Sequence, residues 1–185
     1  AGQTGGPSGG CIPAKDFDLP IDYDSLVKAG AIMGSGGMIV MDENTCMVDV
    51  ARYFVSFLEG ESCGNCVPCR EGLRQMRAIL DRICEGQGRT GDVEKLQALA
   101  NALHDGALCG LGKTAGNPVM TTIQNFREEY DAHIEDRKCP AGVCKGLISY
   151  QIVEEKCPGC GLCVKNCPQE AITSQGKKKP VLLDQ

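Results

Sequence analysis

The chain has no tryptophan, only two histidines, and just 4% aromatic residues among 185. A core this short of large side chains needs another source of stability, and bound metal is a common one. No apolar run approaches the roughly 20 residues of a membrane span; the longest useful one is Met38-Ile39-Val40-Met41. Excess positive charge is also missing. The net charge is −5, which argues against a nucleic-acid surface. No signal peptide opens the sequence, so a disulfide framework, which needs an oxidising compartment, is not expected. No Ser-His-Asp or Cys-His catalytic set is present, and His104 beside Asp105 reads as a surface residue. What is abundant is glycine, with 24 residues, and cysteine, with 13. Many of the cysteines stand at C-x2-C spacing, which reads as metal binding in a reducing cytoplasm. The length suits one or two small domains in a soluble, cytoplasmic protein.

The central motif is Cys63-Gly64-Asn65-Cys66-Val67-Pro68-Cys69-Arg70. Three close cysteines plus one distant cysteine suit a cubane iron–sulfur cluster, because each iron needs one thiolate. Cys109 in Leu108-Cys109-Gly110-Leu111-Gly112 is the candidate fourth ligand. A zinc knot is the alternative, since zinc also accepts four cysteines.

Around this motif the periodicity predicts a mainly α fold with small α+β parts. Glycines crowd residues 1–37 and suit tight turns, a phosphate cradle being the sharper alternative, although no strand-then-helix pattern frames them. Met38–Met41 reads as a short strand, and an opening on such a loop suggests a piece of a longer protein. Four helical patterns follow. The first is capped by Asn44 or Thr45 and carries Val50, Phe54, Phe57 and Leu58. The second follows Cys69 with Leu73, Met76, Leu80 and Ile83, and Gly86-Gln87-Gly88 ends it. The third runs from Asp92 to Gly106 with Val93, Leu96, Leu99, Ala100 and Leu103. The fourth opens on Asn117-Pro118 and presents Met120, Ile123, Phe126, Tyr130 and Ile134.

Short connections predict an antiparallel four-helix bundle over residues 44–135. Up-down-up-down packing brings Cys63, Cys66, Cys69 and Cys109 to one pole. The second and fourth helices begin there, so their N-terminal amides face a net negative cluster. Arg70 is either a positive charge that raises the reduction potential or a solvated helix-start residue. The same topology puts Cys46 and His133 at the opposite pole, with His133-x5-Cys139-x4-Cys144 continuing into a linker at 136–150. One imidazole and three thiolates suit a structural zinc clamp; an iron–sulfur cluster and unmetallated residues are the alternatives. Cys11 and Cys84 have no partner in any motif.

Residues 151–185 carry Cys157-x2-Cys160-x2-Cys163-x3-Cys167-Pro168, the bacterial ferredoxin run. In two-cluster ferredoxins the fourth cysteine serves the other cluster, so Cys167 would ligate a second site. No second run is reached by Val181–Gln185, so the half-domain is incomplete unless residues follow Gln185. Lys177-Lys178-Lys179 reads as a solvated turn.

Ser8-Gly9-Gly10-Cys11, Gly30-Ala31-Ile32-Met33-Gly34-Ser35-Gly36-Gly37, Glu61-Ser62-Cys63-Gly64-Asn65-Cys66-Val67-Pro68-Cys69-Arg70-Glu71-Gly72 and Cys109 together resemble the flavoprotein subunit of respiratory complex I. The match covers residues 1 to about 135. The tail, Cys46 and the His133/Cys139/Cys144 set are similar instead to the beta subunit of NAD(P)-linked, electron-bifurcating [FeFe] hydrogenases, with formate dehydrogenase diaphorase subunits close behind. This resemblance implies that residues 1–43 end an SLBB-like β-grasp domain. It also implies that FMN and NAD(P)H sites lie before Ala1, and no dinucleotide fingerprint occurs in the present chain. Partners would be a thioredoxin-like [2Fe-2S] subunit and a catalytic subunit. The function implied is electron transfer from flavin through the Cys63/Cys66/Cys69/Cys109 [4Fe-4S] cluster, with the ferredoxin arm as a branch. A reading of another class is a zinc-stabilised scaffold in which no cysteine group carries electrons.

Overall fold

The computed structural model describes residues 1–148, 150–153 and 155–174, and the backbone of 181–182. The chain divides into two units, Ala1–Ile148 and Ser149–Gln185. The Lys177–Lys179 turn lies outside the described residues.

The first unit opens with β1 (Gly2–Thr4) and β2 (Gly10–Ile12), then α1 (Tyr23–Lys28) and β3 (Met38–Val40). The sheet is antiparallel in the order β2-β1-β3, with Gln3 opposite both Cys11 and Ile39. Glycine is needed where β1 turns into β2. A Cβ on Gly9 would overlap the Thr4 carbonyl oxygen, and Gly5 stands at φ +79°. Asp22 caps α1 by accepting from the Ser25 N–H at 2.7 Å. Ile12, Leu26 and Ala31 form a small core of their own.

Six helices follow: α2 (Met47–Glu61), α3 (Val67–Cys84), α4 (Asp92–Gly106), α5 (Gly110–Thr114), α6 (Asn117–Asn125) and α7 (Arg127–Ile134). Their buried positions recur at three- and four-residue intervals, as one helix face requires. Val48, Ala51, Val55 and Leu58 on α2 meet Leu73, Met76, Leu80 and Ile83 on α3 and Val93, Leu96, Ala100 and Leu103 on α4. Tyr130 is the largest fully buried side chain, so aliphatic packing supplies this core. Asp92, buried at the start of α4, accepts from Arg82 Nη2 at 2.6 Å, Arg82 Nε at 3.2 Å and the Arg89 N–H at 2.9 Å. That charge-assisted fork fastens the end of α3 to the start of α4. The sheet docks on α6. The Cys11 N–H donates to Thr121 Oγ1 at 2.9 Å, and Asn125 Nδ2 returns a bond to the Cys11 carbonyl at 3.3 Å.

Three helix details differ from the periodicity reading. Cys46, not Asn44 or Thr45, caps α2, its sulfur accepting from the Asp49 N–H at 3.4 Å. The side chains of Asn44 and Thr45 are engaged with Asp42 instead. The buried stripe of α2 is rotated accordingly: Phe57 is 46% exposed, and Val48, Ala51 and Val55 take the interior. The fourth pattern is broken at Phe126, whose φ of −139° and ψ of 39° leave the helical region. Thr122 turns its hydroxyl back on the Pro118 carbonyl at 2.7 Å, a bond that bends helices. The Tyr130 hydroxyl meets Thr122 Oγ1 at 2.8 Å, joining α6 to α7 across the break.

After α7 the chain returns over the end of α3 through a 3-10 turn at Lys145–Leu147. A Cβ on Gly146 would press on the Glu85 backbone at 2.6 Å, so only glycine allows this approach. In the second unit, α8 (Leu162–Asn166) precedes β4 (Ile172–Thr173), which pairs antiparallel with β5 (Val181–Leu182).

Candidate metal centres

At the start of α2, Cys46 Sγ lies 3.3 Å from His133 Nε2 on α7 and 3.8 Å from Cys144 Sγ. His133 Nε2 is 3.4 Å from Cys144 Sγ, and with Cys139 all four ligand atoms lie within 4.8 Å of one another. All four residues are buried. A tetrahedron with Zn–S bonds of about 2.3 Å has S–S edges of about 3.8 Å. The donor set and its size therefore fit zinc. His133 Nδ1 sits 2.7 Å from the Glu129 carbonyl, four residues back on α7. That carbonyl can only accept, so the bond places the proton on Nδ1 and leaves Nε2 free toward the sulfurs. Without a cation, the hydrogen bond to Cys144 and burial hold the Cys46 thiol far above its ordinary range. Burial works the same way on Cys139, yet the N–H groups of Cys144 and Val143 overcome it and lower that thiol. Cys84 also belongs to this neighbourhood, buried in the same core cluster as Cys46, Cys139 and Cys144. Spacing alone does not place Cys84 here; the packing of α3 against the linker does.

The other pole is built from the end of α2, the start of α3 and the α4–α5 junction. Cys69 is buried on the first turn of α3, Cys66 caps that helix, and Cys63 and Cys109 are exposed. Cys109 is the N-cap of α5. The two segments meet directly: the Leu108 N–H bonds to Cys66 sulfur and lowers its thiol. Burial raises the Cys69 thiol, the Ser62 hydroxyl opposes this, and the thiolate charges of Cys66, Cys109 and Cys63 add to the rise. Gly112, three residues after Cys109, packs on the Cys69 side chain, where a Cβ would lie 3.6 Å from its sulfur, so the α5 start and the cysteine turn adjoin. Among the described residues, the His133 quartet is the only set of ligand atoms packed within 4.8 Å. Four sulfurs serving four irons must stand farther apart than four on one ion, and a half-open quartet outside the tightly packed set suits that group. The helix opening beside Cys109 is α5. The start of α6 lies elsewhere, since Gly116 packs on Ala100, more than a turn back from the end of α4. The expectation that the fourth helix aims its N-terminus at this pole therefore fails.

Arg70 donates to the Gly64 carbonyl and pairs with Glu71 at 3.0 Å, so it braces the cysteine turn. Ser62 bridges that turn to Cys69, a role that ligand spacing does not reveal. In the second unit, Cys157 and Cys167 are half-buried and Cys160 and Cys163 exposed. Gly159 at φ +72° and Gly161 at φ +70° bend the loop between them.

Residues 49–133 match the NADH-ubiquinone oxidoreductase-F iron–sulfur binding region, and residues 150–173 match a 4Fe-4S binding domain. The NADP-reducing hydrogenase subunit HndC of Solidesulfovibrio fructosivorans is 52% identical over 96% of this chain and 36% of its own length. The F 2 subunit of the NADH-quinone oxidoreductase of Rhizobium meliloti is 43% identical over 74% of this chain and 32% of its own. An NAD+-reducing [NiFe]-hydrogenase in the H2-reduced state aligns with a TM-score of 0.66 and 31% identity, covering 73% of this chain and 23% of that one. The chain thus spans about a third of the length of the curated relatives it matches.

Proposed function

From the premise that residues 49–133 belong to the NADH-ubiquinone oxidoreductase-F iron–sulfur family, we propose that this chain is the electron-transfer segment of an NAD(P)-linked flavin and iron–sulfur oxidoreductase. Cys63, Cys66, Cys69 and Cys109 would hold a [4Fe-4S] cluster, which when bound supplies a one-electron couple. Cys46, His133, Cys139 and Cys144 would hold zinc. Cys157, Cys160, Cys163 and Cys167 would serve ferredoxin-type clusters, Cys167 at a second site. Electrons would run between a flavin held elsewhere in the longer subunit and partner subunits in the cytoplasm. The similarity to HndC over nearly the whole chain favours a hydrogenase, and electron bifurcation is part of this proposal.

The observation that carries the reading is the contrast between the poles. One quartet is closed, buried and packed within 4.8 Å, while the other stands half-open at the surface. Zinc carries no electron, so the closed quartet fastens the linker to the bundle. At the open quartet no proton need move. The chain supplies spacing, partial burial and N–H or O–H groups aimed at sulfur.

The test is anaerobic metal analysis of the reconstituted chain, with visible and reduced EPR spectra. At least about four irons and one zinc per chain are expected, with any further iron assigned to the ferredoxin run. Cys109→Ser should abolish the bundle cluster. Full iron and a native spectrum in that variant would refute the fourth ligand. Zinc alone, with no visible absorption, would refute electron transfer altogether.

A further inference from the structure

The Ser62 hydroxyl stands 3.3 Å from Cys69 Sγ and 3.3 Å from the Gly64 amide nitrogen. An amide N–H can only donate, so it occupies a lone pair of Ser62 Oγ. A hydroxyl has one hydrogen, and a thiolate ligand has none. Once Cys69 is deprotonated, the direction is fixed: Gly64 N–H donates to Ser62 Oγ, and Ser62 O–H donates to Cys69 Sγ. The local structure holds this relay in place. Ser62 is the C-cap of α2 in extended backbone, its own N–H tied to the Glu59 carbonyl at 3.2 Å. Gly64 sits at φ +75°, and Arg70 grips its carbonyl from α3. Cys69 itself is buried, so water does not compete for its sulfur as it does at the exposed Cys63 and Cys109.

We propose that Ser62 is a positioning residue that raises the reduction potential of the bundle cluster by donating a hydrogen bond to Cys69 thiolate. The inference rests on the reading that Cys63, Cys66, Cys69 and Cys109 hold a cluster. Reduction adds one electron, and much of the added charge falls on sulfur. A donor aimed at that sulfur stabilises the reduced form more than the oxidised one. Among the four sulfurs, Cys69 gains most from such a bond because it is the least solvated. Arg70 acts at one remove, by fixing the Gly64 turn that orients the hydroxyl.

The test is an EPR-monitored redox titration of the reconstituted chain and of Ser62→Ala and Ser62→Thr, with iron counted in each. The bundle signal is identified as the one that Cys109→Ser removes. The midpoint of Ser62→Ala should fall below that of the wild type at equal iron content. Ser62→Thr keeps the hydroxyl and suits extended backbone, so it should titrate with the wild type. An alanine variant with full iron and an unchanged midpoint overturns the proposal, as does a threonine variant displaced as far as alanine. An alanine variant that assembles no cluster, while threonine does, assigns Ser62 to assembly and also overturns it. Absence of any signal sensitive to Cys109→Ser would instead overturn the underlying cluster reading.

Discussion

If the His133 quartet holds zinc as proposed, stripping it should free residues 136–148 and leave the helices folded. Ordering those residues costs about 1.5 kcal/mol each, or roughly 20 kcal/mol for the segment. Four backbone hydrogen bonds hold it: Lys138 to Ala132, Gly142 to Cys139, Leu147 to Cys144 and Ile148 to Lys145. At about 1 kcal/mol each they contribute about 4 kcal/mol. Leu147 and Ala141 are partly buried against the core and Arg137 donates to the Gly86 carbonyl, adding about 2 kcal/mol together. The remaining deficit, on the order of 15 kcal/mol, lies within the roughly 10–16 kcal/mol that structural zinc supplies. Without zinc these contacts fall short of the cost of ordering the segment. The aliphatic layer of α2, α3 and α4 does not pass through the metal, so it should persist.

Hydrogen exchange read by mass spectrometry, with and without a zinc chelator, measures this directly. Amides between Cys139 and Leu147 should move to the exchange rate of unfolded chain, while those of α3 around Leu73–Leu80 keep their protection. His133→Ala should reproduce the pattern, lose zinc and retain the bundle-cluster signal. Protection of 139–147 that survives metal removal would show that the contacts were undervalued. Loss of α3 protection at the same chelator concentration would show that the two poles form one cooperative unit, and the reasoning would fail.

Gly116→Ala should destabilise the first unit by about 1–3 kcal/mol, as overpacking does, because its Cβ would meet Ala100 Cβ at 2.8 Å and Cα at 2.9 Å. A thermal midpoint equal to or above the wild type would refute that close approach. Burial pushes the Cys11 thiol up to about 11 from its ordinary 9.0, so the folded chain keeps a proton that the unfolded chain gives up first. The stabilisation is complete below pH 9 and is lost as pH rises toward 11. The urea midpoint should fall more steeply over that window in the wild type than in Cys11→Val; parallel curves would refute it.

The helices were legible where apolar residues repeat strongly. The stripe Leu73, Met76, Leu80 and Ile83 on α3 stands in the interior as periodicity requires. The His133 quartet was legible because topology brings the start of the first helix to the end of the last, whatever the exact caps. Three things were not legible. The α2 cap could not be assigned because Asn44, Thr45 and Cys46 are all capable acceptors, and the choice depends on Asp42 engaging the first two. The break at Phe126 leaves no proline or glycine in the sequence; it rests on hydroxyls of Thr122 and Tyr130 that meet only in three dimensions. Ser62 lay inside the most specific motif of the chain, yet spacing rules count ligands and overlook the donors between them. The Glu129 carbonyl was findable, standing four residues before His133 on one helix face.

The placement of the two quartets follows from the poverty of the core. Helices packed by leucine, isoleucine, valine and alanine hold one another along their length, but their ends leave amide and carbonyl groups without partners. Here the cysteines occupy those ends. Cys46 caps α2 through its sulfur, and Cys66 and Cys109 stand at the N-cap positions of α3 and α5 without a side-chain cap bond. A thiolate at a helix start lies near the positive end of the helix dipole, which favours its charge. The α2 helix has 15 residues and sets the quartets about 22 Å apart. Over that distance perturbations at one pole are expected to add to those at the other without coupling. On the proposed reading, a redox-inert ion would fasten the linker at one end while Ser62 and Arg70 would tune the other pole for electrons. Moving either function to mid-helix would place thiolates in the aliphatic layer, where no amide is free to receive them.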